Sequence, residues 1–376
     1  MKKIIVGVDA SRNKSGGAID HIKGIINCFD RESHNIKEIH IWSYNELLNE
    51  LPDNSWLKKH SNSYIESGII KNLYWQKFLL KKELEYHDCD VLFSSDASSL
   101  CRFSPFVTLS QDALSFEKGT IRKFLFTRSI FRMLFIYFLQ ISTVRASKGT
   151  IFLTEYAKNL VIRKTGSISR TQIIPHGVNS IFKLNISHVK LSLLEPVSVI
   201  YVSNYSMYKN QWNVVQAVDQ LNKEGYSINL ALAGGGGGKA KKLTDSAMCN
   251  AKCPQNFHDL GRVQHSDLPK LIAKHDIFLF ASSCETISIT LLEGMASFKP
   301  IACSNKGPMP EVLGNNGVFF DPEDPFSIKL ALKKIMLNSD SENYKLAFGA
   351  FERSKYFSWE NCSRETWNFI EKTLEE

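Results

Sequence analysis

No stretch of this 376-residue chain approaches the roughly 20 consecutive apolar residues of a bilayer-spanning helix, and the longest uncharged aromatic-rich run, Met133 to Val144, falls well short. A helical membrane span is thereby excluded. The signal-peptide pattern is missing too: Lys2 and Lys3 are followed by only a few apolar residues before Asp9, and the segment reads as a first buried strand. Paired cysteines are lacking. The eight thiols are scattered, and only Cys249 and Cys253 lie close, with neither a second pair nor a histidine couple to complete a zinc site. A chain of this length needs no disulfide staples, so the thiols read as reduced and the protein as cytoplasmic. No metal site is expected, and no nucleic-acid-binding module is recognisable.

What is present suits a folded chain, with 43% hydrophobic, 11% aromatic and 22% charged residues. Its length suits two domains. The formal net charge of +8 is unevenly spread: residues 1–190 hold 27 basic and 17 acidic side chains, and the remainder 19 and 21. The densest basic segment is 117–148, where Lys118, Arg122, Lys123, Arg128, Arg132, Arg145 and Lys148 face a single acid, Glu117. Phe124, Phe126, Phe131, Phe135, Tyr137 and Phe138 are interleaved with them. Such a segment fits a surface lying on anionic lipid. It equally fits an amphipathic helix with its aromatics in the core and its arginines solvated.

Short apolar runs alternate with helical stretches, the pattern of parallel sheets covered by helices. One strand series comprises Lys3 to Val8, Ile39 to Trp42, Val91 to Ser94, Phe106 to Ser110, Gly149 to Leu153 and Gln172 to Ile174. A second comprises Val197 to Val202, Asn229 to Ala233, Phe257 to Leu260, Ile277 to Ala281 and Pro300 to Cys303. Two Rossmann-like domains follow, 1–185 and 186–358, with a linker within Ser180 to Pro196. The terminal segment 359–376, capped by Ser358, is expected to be a helix packing back on the first domain.

The strongest signal is Ser283-Cys284-Glu285-Thr286-Ile287-Ser288-Ile289-Thr290-Leu291-Leu292-Glu293-Gly294-Met295-Ala296, which follows the Ile277 to Ala281 strand and reads as helix beyond Ser283. On one helix Glu285 and Glu293 would stand roughly 12 Å apart and about 80° round the axis. That separation suits the two ends of a nucleotide sugar. A helix N-terminus near Ile287, Ser288, Ile289 and Thr290 would offer N–H groups and a positive dipole end to the diphosphate. The plainer account makes Glu285 an acid at a helix start and Glu293 a solvated one, yet the apolar neighbours of Glu293 favour a partnered carboxylate. Gly234 to Gly238 closes a strand as an unspaced glycine run, so it lacks the dinucleotide fingerprint and reads as a mobile loop rimming a ligand site.

The block resembles glycosyltransferase family 4, the retaining enzymes of GT-B fold. The Glu-x7-Glu pattern at Glu285 and Glu293 is followed by Gly294-Met295-Ala296 and Lys299-Pro300-Ile301-Ala302. By resemblance Glu285 contacts the donor sugar and Glu293 the nucleotide ribose. Tyr201 to Trp212 is similar to the loop that supplies an arginine and a lysine to the diphosphate; Lys209 keeps the lysine, and Asn204 stands in the arginine's place. Gly16 and Gly17 resemble the glycine-rich loop of the first domain. Gln111-Asp112 occupies the place of a His-Asp pair, and a glutamine can hydrogen-bond a sugar hydroxyl but cannot take a proton. Ile174-Pro175-His176-Gly177-Val178-Asn179 is similar to the segment closing the first sheet, with His176 structural.

The resemblance implies a GT-B α/β fold whose two Rossmann-like domains face a central cleft. It implies transfer of a hexose from a GDP- or UDP-sugar to a glycan or polyprenyl-linked acceptor in O-antigen or surface polysaccharide synthesis, the lipid linkage resting on the basic aromatic segment 117–148. Lys209 and Glu285 would carry catalysis with Gln111 and Asp112, while Glu293, Asn204, Gly16, Gly17, Gly234 and the Ile287 to Thr290 amides bind donor. No cofactor or metal is expected, and the place expected is the inner face of the cytoplasmic membrane through 117–148. A GT-B nucleotide-sugar epimerase and an inactive sugar-binding relative are the alternatives.

Overall fold

The computed structural model describes residues 3–14, 16–112, 114–117, 129–183 and 195–375. Two parallel sheets are present. The first runs in the order β3-β2-β1-β4-β5-β6-β7, built from β1 (Ile4–Asp9), β2 (Ile36–Trp42), β3 (Leu57–His60), β4 (Val91–Ser94), β5 (Phe106–Ser110), β6 (Gly149–Phe152) and β7 (Thr171–Ile173). The second has the order β10-β9-β8-β11-β12-β13, from β8 (Val197–Val202), β9 (Ile228–Ala233), β10 (Phe257–Asp259), β11 (Ile277–Phe280), β12 (Ile301–Ser304) and β13 (Val318–Phe320). Central strands β4, β5, β6, β11 and β12 are buried at every residue, as strands covered by helices on both faces must be. The edge strands β3 and β13 escape the sequence reading, because Leu57-Lys58-Lys59-His60 and Val318-Phe319-Phe320 are short and only partly buried.

Contacts divide the chain into Met1–Gly177 with Ser358–Glu376, and Val178–Phe357. The sequence reading drew this boundary at 185. Phe182, fully buried with its ring centroid 5.2 Å from that of His265, ties the segment after Gly177 to the second unit. Most of the expected linker, 184–194, lies outside the described residues.

The terminal helix, Trp359–Leu374, starts at Ser358, whose side chain accepts the Asn361 N–H. It packs on the Gly17–Asn27 helix of the first unit: Trp367 Nε1 and Ser363 Oγ both donate to the Ile25 carbonyl, and any side chain at Gly24 would overlap the Trp359 ring. Trp359 in turn packs against His176, which lies 3.2 Å from His21, Nδ1 to Nδ1. His176 is therefore a packing residue. None of the eight cysteines is in a disulfide; Cys249 is exposed and Cys253 half-buried.

Candidate active site

In an open parallel sheet, ligands bind beyond the carboxyl ends of the strands where the strand order reverses. In the second sheet that point lies between β8 and β11, and the segments leaving these two strands carry the residues singled out from the sequence. The loop after β8 is cross-linked to the loop after β11. Asn210, held at φ 55°, donates from Nδ2 to the Ala281 carbonyl at 2.9 Å and to the Tyr208 carbonyl at 3.1 Å. The Ser283 N–H donates to the Tyr208 carbonyl at 2.7 Å, and the Tyr201 hydroxyl to that of Lys209 at 2.7 Å. An asparagine tolerates this left-handed backbone better than most residues, and its short amide then closes the turn.

The effect is to bring Lys209 and Glu285 together as an ion pair between Nζ and Oε1. Their side chains are only 14% and 15% exposed, and the ammonium also lies 5.3 Å from the ring centroids of both Tyr208 and Phe280. Burial opposes the charge on Lys209, but the Glu285 carboxylate and the Tyr201 and Tyr208 hydroxyls outweigh it, so its pKa is raised and the cation is firmly held. This is a lysine fixed in place, not a solvated surface one.

The helix carrying Glu293 begins at Ile289, later than the sequence suggests. Ser288 caps it, accepting the Leu291 N–H, and Glu285 stands in the loop before it, so the single-helix spacing of the two acids does not apply. The cause is local: Ser288 has extended backbone, and a serine there satisfies an N–H that the first turn would otherwise leave bare. The helix N-terminus lies at Ile289 and Thr290, with Thr286, Ile287 and Ser288 buried ahead of it. Glu293 is buried, and its Oε1 lies 2.6 Å from His265 Nε2. The sequence reading missed His265, whose place in the turn after β10 is set by tertiary contact.

Asn204 carries no charge into this site. Its Oδ1 accepts the Gly235 N–H at 3.2 Å, and Gln211 Nε2 donates to its carbonyl. A Cβ on Gly234 would fall 2.0 Å from the Ser203 carbonyl oxygen, so this glycine allows two loops to touch. Tyr205 N–H donates to the Gly235 carbonyl and Gly234 N–H to that of Gly261, so the start of the glycine run is tethered where a mobile loop was expected. A Cβ on Gly235 would also be 3.6 Å from the Arg262 Cβ, which puts a second cationic residue beside the Asn204 loop. Arg262 was not singled out from the sequence.

Gln111, Asp112, Gly16 and Gly17 belong to the first unit. Gln111 Nε2 donates to the Ser95 carbonyl at 2.7 Å, and Asp112 Oδ1 accepts the Leu114 N–H at 2.8 Å. Gly16, at φ 57°, precedes the Gly17–Asn27 helix. Around the end of β1, Asp9 is buried and accepts from the Ser11 hydroxyl and Gln76 Nε2; burial raises its pKa.

Of the 117–148 segment, 118–128 lies outside the described residues. Over Ser129–Ala146 a helix exposes Phe131 (76%), Leu134, Phe135 (52%) and Phe138 (65%), at spacings of three and four, while Met133, Leu139 and Val144 face inward. Tyr137 packs on Phe116. The reading that turns all the aromatics into the core fails for these three phenylalanines. No helix among the described residues is long and apolar enough to cross a membrane.

Residues 185–347 match the family model of glycosyl transferases group 1. Among curated proteins, O-antigen chain mannosyltransferase B of Escherichia coli is 35% identical over 109 residues, 29% of this chain and 28% of that protein. An uncharacterized glycosyltransferase of Methanocaldococcus jannaschii is 22% identical over 55% of each chain. The chain thus spans less than two thirds of these relatives. Among solved structures, sucrose-phosphate synthase from Thermosynechococcus elongatus superposes with a TM-score of 0.79 at 13% identity, covering 99% of both chains. HepE of Anabaena in complex with UDP gives 0.74 at 16% identity, over 98% of this chain and 100% of its own. The chain therefore has the two-sheet GT-B fold of the glycosyltransferases, and its residues 185–347 carry the glycosyl transferases group 1 domain.

Proposed function

We propose that the protein is a retaining glycosyltransferase that moves a hexose from a GDP- or UDP-sugar to a lipid-linked glycan in surface polysaccharide synthesis. The observation that carries this reading is the mostly buried Lys209–Glu285 pair at the strand-order reversal of the second sheet, beside the N-terminus at Ile289. When donor binds, Lys209 exchanges its carboxylate partner for the diphosphate, and Glu285 is released to hydrogen-bond the sugar hydroxyls. Arg262 supplies the cation that Asn204 lacks, and Glu293, oriented by His265, takes the ribose diol. Charge developing on the departing diphosphate is met by Lys209, Arg262 and the first-turn amides, so no metal is invoked. That diphosphate takes the acceptor's proton on the same face of the sugar, which retains configuration and asks for no protein base at Gln111. The UDP-bound HepE neighbour supports a nucleotide donor, and the mannosyltransferase relative supports a polysaccharide role. The exposed Phe131, Leu134, Phe135 and Phe138 stripe, with Arg132 among them, supports a lipid-side acceptor and a peripheral membrane location.

The test is transfer of labelled sugar from a panel of GDP- and UDP-hexoses to bacterial lipid extract, with the anomeric configuration of the product read by NMR. Absence of transfer from every donor would sink the proposal. Interconversion of a nucleotide sugar without any acceptor would point instead to an epimerase.

A further inference from the structure

We propose that His40, His60 and His87 form a binding site for one divalent transition-metal ion of the zinc type, at the β3 edge of the seven-stranded sheet. The three residues are far apart in sequence, and the fold assembles them. β2 and β3 are parallel, with Trp42 opposite His60 and His40 opposite Lys58. Because side chains alternate along a strand, His40, Trp42 and His60 share one face. His87 reaches that face from the residue that ends the Leu80–Tyr86 helix.

One ring nitrogen from each histidine lies within 4.8 Å of the other two. His40 Nδ1 and His60 Nε2 are 3.0 Å apart, close to the edge of about 3.3 Å expected between imidazole nitrogens around a tetrahedral zinc ion. Ring centroids of the three are 4.6–5.1 Å apart, and the Trp42 indole stacks on His60 at 4.8 Å and 21°, fixing that ring's plane. The other nitrogen of His40, Nε2, lies 3.4 Å from Glu38 Oε2. A carboxylate behind a ligating imidazole is the usual outer partner of a metal-binding histidine, orienting the ring and raising its basicity. Three imidazoles with no thiolate suit zinc, copper(II) or nickel rather than magnesium or calcium, and leave a fourth position for water. Ring packing accounts for the stacking and a His40–His60 hydrogen bond for the 3.0 Å approach, but neither accounts for a third imidazole nitrogen, that of His87, within 4.8 Å of both. The site lies in the first compact unit and takes no part in the donor chemistry proposed above.

The full chain, prepared without a histidine tag, is loaded with zinc, passed through a desalting column and its metal counted. The expected result is one zinc ion per chain, retained equally by a Cys249→Ser/Cys253→Ser variant, lost in His87→Ala, and bound about 10–100-fold more weakly in Glu38→Gln. Cobalt(II) loading of the unaltered chain gives a readout that needs no variant: visible bands of low-coordinate nitrogen ligation, without the near-ultraviolet thiolate band. A chain that emerges metal-free, equal retention by a folded His87→Ala variant, loss of metal with the cysteines, or a thiolate band in the cobalt spectrum would each overturn the site.

Discussion

His265 Nε2 stands 2.6 Å from Oε1 of Glu293, and the two differ sharply in setting: the imidazole is 48% exposed and the carboxylate 4%. The pair lets a buried helix position hold an acid among Leu291, Leu292 and Met295. His265→Ala should lower stability by about 1.5–3 kcal/mol, the scale of a hydrogen bond to a charged group, as read by urea unfolding. Glu293→Gln keeps a hydrogen-bonding partner for His265 and should cost less stability, yet it weakens donor binding because an amide accepts less strongly from a ribose diol. Equal donor KM in Glu293→Gln and the unaltered protein would remove Glu293 from the site.

Lys209→Met and Glu285→Gln should each reduce kcat by about 100-fold or more, the scale of losing one charge-stabilising group in a transition state. Each single change also strands a mostly buried charge, whereas the double variant strands none. The double-mutant cycle on unfolding free energy should therefore give a coupling of about 0.5–3 kcal/mol, and additive effects would mean that the pair is not formed in solution. Arg262→Ala should raise donor KM while leaving stability unchanged, since the side chain is exposed.

How much of this was legible in the sequence depends on whether a residue's role is local. Strands β8 and β11 read directly, because all their residues but Ser198 are apolar and buried, and Glu285 and Lys209 follow them at short range. The start of the Glu293 helix was misjudged: Glu285, Thr286 and Ile287 carry no helix-breaking residue, and only the extended backbone of Ser288 reveals the stop. His265 and Arg262 were invisible because what they meet lies on other elements, Glu293 on a helix 28 residues away and Gly235 in the loop after β9. Gly234 was read as part of a mobile loop at a ligand site, but a side chain there would meet the Ser203 carbonyl of the same protein. The His40, His60 and His87 cluster depends on β3, an edge strand whose two lysines hide it.

The glycine run offers an internal control. Gly234→Ala would drive a methyl to 2.0 Å from the Ser203 oxygen, so the loops must part; Gly237→Ala meets nothing within 4 Å and keeps an ordinary φ. The first should lose several degrees of Tm and most donor affinity, and the second neither. Equal melting of the two would mean that the contact between the β8 and β9 loops is not maintained.

Acid should destabilise the first unit through His176. Burial lowers its pKa from 6.5 to about 3, and that of its neighbour His21 falls well below 6.5 for the same reason, with His176 adding to it. Above pH 6.5 both are neutral folded or unfolded and contribute no slope. Below it the unfolded chain binds protons that the folded one excludes, so stability falls with falling pH, by up to about 1.4 kcal/mol per unit for each histidine, until the folded-state pKa is reached. Unfolding free energies between pH 7 and pH 5 should decline less steeply in His176→Asn, and an unchanged slope would show that the histidine is not held neutral.

The exposed stripe on the Ser129–Ala146 helix can be separated from catalysis. Phe131, Phe135 and Phe138 point away from the core, so exchanging all three for serine removes only surface contacts such as that of Phe138 with Tyr137, and should leave Tm within a degree or two. If the stripe sits in a lipid interface, each ring gains burial there, and the three together account for several kcal/mol of partitioning. Sedimentation with vesicles rich in anionic lipid should then carry down the unaltered protein and leave the triple serine variant in the supernatant. Transfer to a water-soluble glycan should be equal for both, while transfer to a lipid-linked acceptor in vesicles should drop for the variant alone. Loss of both transfers together would mean that the stripe supports the fold of the first unit, and equal sedimentation would mean that it does not meet lipid.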